Sequence, residues 1–231
     1  MHILLLHGAI GAADQLKPLA DKLSKDFTVH ILNFSGHGGE PFSEQPFSIP
    51  LFAEEVLAYL DQNGIEQVNI FGFSMGGFVG MYLAKHYPKH VLKLMTLATK
   101  FDWNKEIAEK EKQMINPEKI TAKVPAFAES LEKRHTPNNW KEVLARMADM
   151  ITALGEKNAM TTEDYAAIEI PVLMLLGDRD KMVTLDETLR VYKTLPNAQM
   201  GMLPATGHPI EQADLDLVGF YINRFFNHEG A

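Results

Sequence analysis

The 231-residue chain contains no cysteine. It can therefore build neither a disulfide nor a thiolate metal site, and it offers no Cys nucleophile. No apolar run approaches the ~20 residues needed to span a bilayer. Positive charge is in the minority, with 22 Lys and Arg against 30 Asp and Glu, a net charge of -8. The basic residues form no cluster, which argues against nucleic acid or an anionic membrane surface as partner. Low-complexity tracts are missing as well. The opening stretch, residues 1–6, is apolar but lacks the basic flank and the length of a signal peptide, and cleaving it would destroy His7-Gly8. These absences lead us to expect a cytoplasmic protein with no membrane partner; its expected state is a monomer or homodimer.

Hydrophobic residues make up 46% of the chain, enough for the core of one domain of ordinary size. Apolar strand signals fall near 2–6, 27–32, 67–71, 91–96, 171–176 and 199–203. Helical patterns lie between them, near 14–24 (with Asp14 as N-cap), 50–63, 75–87 and 184–195, and a last one near 210–227. This alternation predicts an α/β domain with a mainly parallel sheet. The segment 101–167 breaks the rhythm. It is highly charged, and Trp140, Val143, Leu144, Met147, Ala148, Ile151 and Leu154 recur at three- and four-residue spacing in a stripe that ends at Gly155.

The most telling motif is Gly72-Phe73-Ser74-Met75-Gly76-Gly77, set between the apolar run at 68–71 and a helical stretch. A serine on a tight strand-to-helix turn stands clear of the backbone, where a base and a substrate carbonyl can both reach it. Glycines two before and two after remove the Cβ atoms that would otherwise collide. Three further strand ends carry chemistry. Residues 2–6 run into His7-Gly8-Ala9, residues 171–176 into Gly177-Asp178-Arg179-Asp180, and residues 199–203 into Gly207-His208.

Nucleophile, acid and histidine in that order, each at a strand end, resemble the α/β-hydrolase superfamily in its lidded serine esterase-like branch. The resemblance runs from His2 to about Phe226. It implies an α/β-hydrolase core at 1–100 and 168–231, with a small helical cap at 101–167. The family's N-terminal hairpin is missing, so about six strands are expected. By the same resemblance Ser74 is the nucleophile and His208 the general base. The family spacing of Gly, two residues, then Asp selects Asp180 as the acid, leaving Asp178 to fix the turn. The oxyanion hole is expected from the backbone N–H groups of Ala9 and Met75. His7 is expected to order the oxyanion loop and His37 to be structural. His2, His30, His86, His90, His135 and His228 show no partner pattern.

The implied activity is cleavage of small to medium hydrophobic carboxylic esters, with no cofactor and no metal. A Ser in place of Asp at the nucleophile position argues against haloalkane dehalogenase and epoxide hydrolase chemistry. Two alternatives stay open. One is a C–C hydrolase or lyase using the same three residues, although the lyase tends to carry a basic residue where Phe78 stands. The other is a low-turnover ligand-binding signalling protein of this fold.

Overall fold

A computed structural model describes residues 1–227; His228 lies outside the described residues. Six strands form one sheet: β1 (His2–Leu6), β2 (Thr28–Leu32), β3 (Val68–Phe73), β4 (Val91–Leu97), β5 (Val172–Gly177) and β6 (Ala198–Leu203). Their spatial order is β2-β1-β3-β4-β5-β6, and every pairing is parallel. The order reverses between β1 and β3. Their carboxyl ends therefore flank the crevice where ligands bind in open parallel sheets. Ala9 leaves β1 and Ser74 leaves β3 at that crevice.

The alternation of side chains in β1 serves two cores. Ile3 and Leu5 pack with α1 (Ala13–Leu23) and α10 (Leu215–Asn227), while Leu4 and Leu6 pack with α2 (Ile49–Gln62) and α3 (Met75–His86). Burial on both faces explains why β1, β3 and β5 read as continuous apolar runs rather than alternating ones. The remaining helix of the core, α9 (Leu185–Thr194), opens with a reciprocal cap between Thr184 and Glu187.

Between β4 and β5 lie five helices: α4 (Lys105–Met114), α5 (Pro117–Lys123), α6 (Pro125–His135), α7 (Trp140–Glu156) and α8 (Thr162–Ala166). Asn104, Asn116, Asn139 and Thr161 each cap the helix that follows. The buried face of α7 includes Met150 in addition to most of the expected stripe, while Ala148 stays half-buried.

Two local expectations are corrected. Asp14 is not the N-cap of α1. The helix starts at Ala13, whose N–H donates to Asn33 Oδ1 at 2.7 Å, so a distant side chain does the capping. Asp14 then sits in the first turn, where the helix dipole favours a carboxylate, and pairs with Arg134 at 3.2 Å. The α7 stripe ends at Gly155 as expected, the last buried residue of that helix. This glycine lies within the helix, and a Cβ there would come within 2.4 Å of Ala108 Cβ, so the missing side chain lets α4 and α7 approach. The final helix starts at Leu215 rather than near 210. A 3₁₀ turn at Ile210–Gln212 precedes it, and Asp214 Oδ1 accepts from the N–H groups of Asp216 and Leu217.

Candidate active site

Ser74 sits between β3 and α3 with φ 51° and ψ −116°, a conformation that L-residues rarely hold. The neighbouring glycines make it attainable. A Cβ on Gly72 would lie 2.4 Å from Gly77 Cα, and one on Gly76 would lie 2.3 Å from the Leu6 carbonyl oxygen. The turn is locked from below by Ser74 N–H donating to Leu97 O at 2.8 Å and by Thr99 Oγ1 donating to Ser74 O at 3.1 Å. This pushes Ser74 Oγ up and out of the sheet end.

His208 meets it there, with Nε2 3.2 Å from Ser74 Oγ. On the other side of the ring, Nδ1 lies 2.8 Å from Asp180 Oδ2. An ionised carboxylate only accepts, so the proton is assigned to Nδ1 and the Nε2 lone pair faces the serine. The other oxygen, Asp180 Oδ1, accepts from Met182 N–H at 2.8 Å and Val183 N–H at 2.9 Å. Burial works to raise the Asp180 pKa, but the hydrogen bond and charge of His208 and the two backbone donors outweigh it, so the carboxyl stays below its ordinary range. Asp178 takes no part in this relay. Its Oδ1 accepts from Thr206 N–H at 3.1 Å and so holds the turn carrying Gly207-His208.

Ala9 and Met75 line the same cavity as Ser74 and His208. Neither the Ala9 nor the Met75 N–H donates to any group among the described residues. Two uncommitted backbone donors thus stand beside the serine, one of them at the N-terminus of α3.

The cavity measures about 330 Å³. Phe78, Trp103, Met114, Phe127, Met147, Met150, Ile151 and Leu154 give it a mostly apolar lining, and Met75 and Met182 bring its methionines to five. Four charged residues also reach it, and they are already paired. Lys100 lies 3.4 Å from Glu111 and 4.0 Å from Glu187, while Arg134 lies 3.2 Å from Asp14 and 3.8 Å from Glu211. Burial pushes the Glu111 pKa up against the pull of Lys100. The Lys100–Glu111 pair was not legible beforehand, because its members belong to no recognisable motif.

The buried histidines correct another expectation. His7, His37 and His135 are all fully buried, and the His37 ring has its centroid 5.1 Å from that of His7 and 5.7 Å from that of His135. His135 has partners after all, with Gly38 N–H donating to Nδ1 at 3.2 Å and Nε2 facing Ile10 O at 3.3 Å. Burial lowers the pKa of all three rings, and that of His135 falls to about 4. His2, His30, His86 and His90 also have partners: His30 with His2 and Tyr59, His86 against Tyr82, His90 with Glu66 O. Among the described residues no group of three or more His, Cys, Asp or Glu could hold a metal ion, and no helix is long and apolar enough to cross a membrane.

Comparison with known proteins fits this architecture. A Bacillus subtilis (strain 168) protein provisionally named 2-succinyl-6-hydroxy-2,4-cyclohexadiene-1-carboxylate synthase is 22% identical over 96% of this chain and 89% of its own. A pimeloyl-acyl-carrier-protein methyl ester esterase of Neisseria meningitidis serogroup C is 24% identical over 89% of this chain and 86% of its own. The solved structure of 2-hydroxy-6-oxo-6-phenylhexa-2,4-dienoate hydrolase from Rhodococcus sp. strain RHA1 matches with a TM-score of 0.82 at 20% identity, covering 98% of this chain and 90% of that one. The family described as alpha/beta hydrolase fold matches residues 1–118, from β1 through the serine turn and into α5. The parallel sheet, the strained serine between β3 and α3, and a family match over half of its length place this chain in the alpha/beta hydrolase fold family.

Proposed function

We propose that this alpha/beta hydrolase cleaves carboxylic esters of small to medium hydrophobic groups through an acyl-enzyme on Ser74. The observation that carries the reading is the continuous relay from Ser74 Oγ through His208 to Asp180, at 3.2 Å and 2.8 Å. His208 Nε2 takes the Ser74 proton as Oγ attacks the ester carbonyl carbon. The carbonyl oxygen becomes an alkoxide that meets the Ala9 and Met75 N–H groups. The intermediate then collapses, its C–O bond breaks, and the alcohol leaves with the proton returned by His208. Water repeats the cycle on the acyl-enzyme, with His208 again as base. Asp180 holds the ring tautomer and stabilises the imidazolium.

The cavity supports an uncharged substrate. The names of two of the proteins compared above, the synthase and the dienoate hydrolase, denote carboxylated compounds, and a carboxylate needs a free cation in the pocket. Here Lys100 and Arg134 each face two carboxylates, and Phe78 follows Gly76-Gly77 where a base would help such a substrate. An apolar lining of this size suits a short acyl chain or alcohol. In this reading 101–167 is the cap, 1–100 and 168–231 form the core, and the reaction needs neither cofactor nor metal. The test is a panel of neutral aryl esters of rising acyl length beside an ω-carboxylated ester. Rates should rise over the first acyl carbons and then fall, with the carboxylated ester slowest. A carboxylated ester as the fastest substrate would contradict the reading.

A further inference from the structure

Three consecutive carbonyls after β1 each meet the ring of a different buried histidine. Gly8 O lies 2.8 Å from His7 Nδ1, Ala9 O lies 2.7 Å from His37 Nε2, and Ile10 O lies 3.3 Å from His135 Nε2. These histidines come from three separate parts of the chain. His7 directly follows β1, His37 belongs to the glycine-rich loop after β2, and His135 is the last residue of α6. The other nitrogen of His135 accepts from Gly38 N–H, which assigns its proton to Nε2 and makes that atom the donor to Ile10 O.

Peptide planes carry the effect of this contact onward. A trans peptide is rigid, and its C=O and N–H point in opposite directions. The plane that presents Ile10 O to His135 therefore aims Gly11 N–H the other way, onto Gly8 O at 3.0 Å. The plane that presents Gly8 O to Gly11 and His7 in turn carries the Ala9 N–H, aimed away from them. The orientation of the Ala9 donor thus depends on a ring two peptide planes distant. That ring is anchored beyond α6. Asn138 Nδ2 donates to Gly36 O at 3.0 Å and also to Glu40 O, which clamps the same segment to the glycine loop.

We propose that His135 is a positioning residue for the oxyanion donor Ala9, coupling the helical segment 101–167 to the hole through its Nε2–H bond to Ile10 O. This rests on the esterase reading above. The positioned donor acts only once the alkoxide forms, so its loss should lower kcat and leave KM unchanged.

Two substitutions separate the two bonds of the ring. His135→Gln places an amide donor near the Nε2 position and keeps the Ile10 contact. His135→Asn places an amide oxygen near the Nδ1 position, keeping the Gly38 contact and losing Ile10. Removing an oxyanion donor outright costs about 10²–10³-fold in kcat, and misaiming one should cost about tenfold. The expected result is a His135→Asn enzyme with kcat down about tenfold and KM unchanged, and a His135→Gln enzyme close to wild type, the two melting at similar temperatures. Equal losses in the two variants, or a change in KM alone, would overturn the proposal. Amide hydrogen exchange at Gly11 reads the same relay without substrate. Exchange should speed up in the Asn variant and not in the Gln variant, and identical exchange would also overturn it. Wild-type enzyme that hydrolyses no ester in a Ser74-dependent way, with the Gly11 difference present, would sink the esterase reading and leave the relay standing.

Discussion

Asp180→Asn isolates the electrostatic part of the relay, because the amide occupies the same space as the carboxylate. The Asn Oδ1 can still accept from Met182 and Val183 N–H, so the loop should stay in place. What changes is the atom facing His208 Nδ1, which becomes an NH₂ donor where a carboxylate oxygen accepted at 2.8 Å. Two donors cannot share that contact. The ring must shift its proton to Nε2, which then faces Ser74 Oγ without a lone pair, and any imidazolium that forms has lost its counter-charge. The expected loss is about 10⁴-fold in kcat, or about 5.4 kcal/mol at 1.36 kcal/mol per decade. Asp178→Asn is the matched control. Its Oδ1 would still accept from Thr206 N–H, so activity should stay close to wild type. The assay is the initial rate on a short-chain aryl ester, with circular dichroism to show that both variants fold. If Asp178→Asn proves the more damaging, or if Asp180→Asn loses less than about tenfold, Asp180 is not the acid and the relay is misread.

The three buried histidines give a pH prediction. The folded-state pKa values of His7, His37 and His135 lie below the unfolded value of about 6.5, so the unfolded chain takes up protons first. Their contribution should be complete above about pH 6.5 and decline as pH falls towards the folded value of about 4 for His135. Urea denaturation at a series of pH values reads this, and a midpoint unchanged from pH 7 to 5 would contradict it. Met147→Ala combined with Ile151→Ala should move the preferred acyl length upward, since each methylene that finds new room is worth about 0.8 kcal/mol. Both residues line the cavity beside Ser74, and an unchanged profile with all rates lowered equally would make α7 a support rather than a selector.

Local signals carried a great deal here. The strands were legible because parallel strands buried on both faces leave unbroken apolar runs, as in β1 and β5. The serine turn was legible because its glycines are demanded by close approaches, Gly72 to Gly77 within the turn at 2.4 Å and Gly76 to the Leu6 carbonyl of neighbouring β1 at 2.3 Å, and leave a compact local motif. Ser74, His208, Ala9 and Met75 were named from short motifs, and the fold brings all four to one cavity with Asp180 behind His208. What escaped were contacts between distant segments. His135 sits 125 positions from Ile10, and nothing near it in the chain marks it as a partner of the loop after β1. Asn33 caps α1 from 20 positions away, which left Asp14 as the only visible candidate. Gly155 was legible as the end of the α7 stripe, but the contact with Ala108 on α4 that excludes a side chain there was not.

The central claim is that Ser74 Oγ forms a covalent bond to the substrate carbonyl carbon. Incubating the protein with a fluorophosphonate and mapping the adduct by peptide mass spectrometry tests it most directly. The account predicts one adduct, on the peptide carrying Ser74, with ester hydrolysis lost in step with labelling and no adduct in Ser74→Ala. An adduct on another serine, or unchanged hydrolysis in Ser74→Ala, would contradict it.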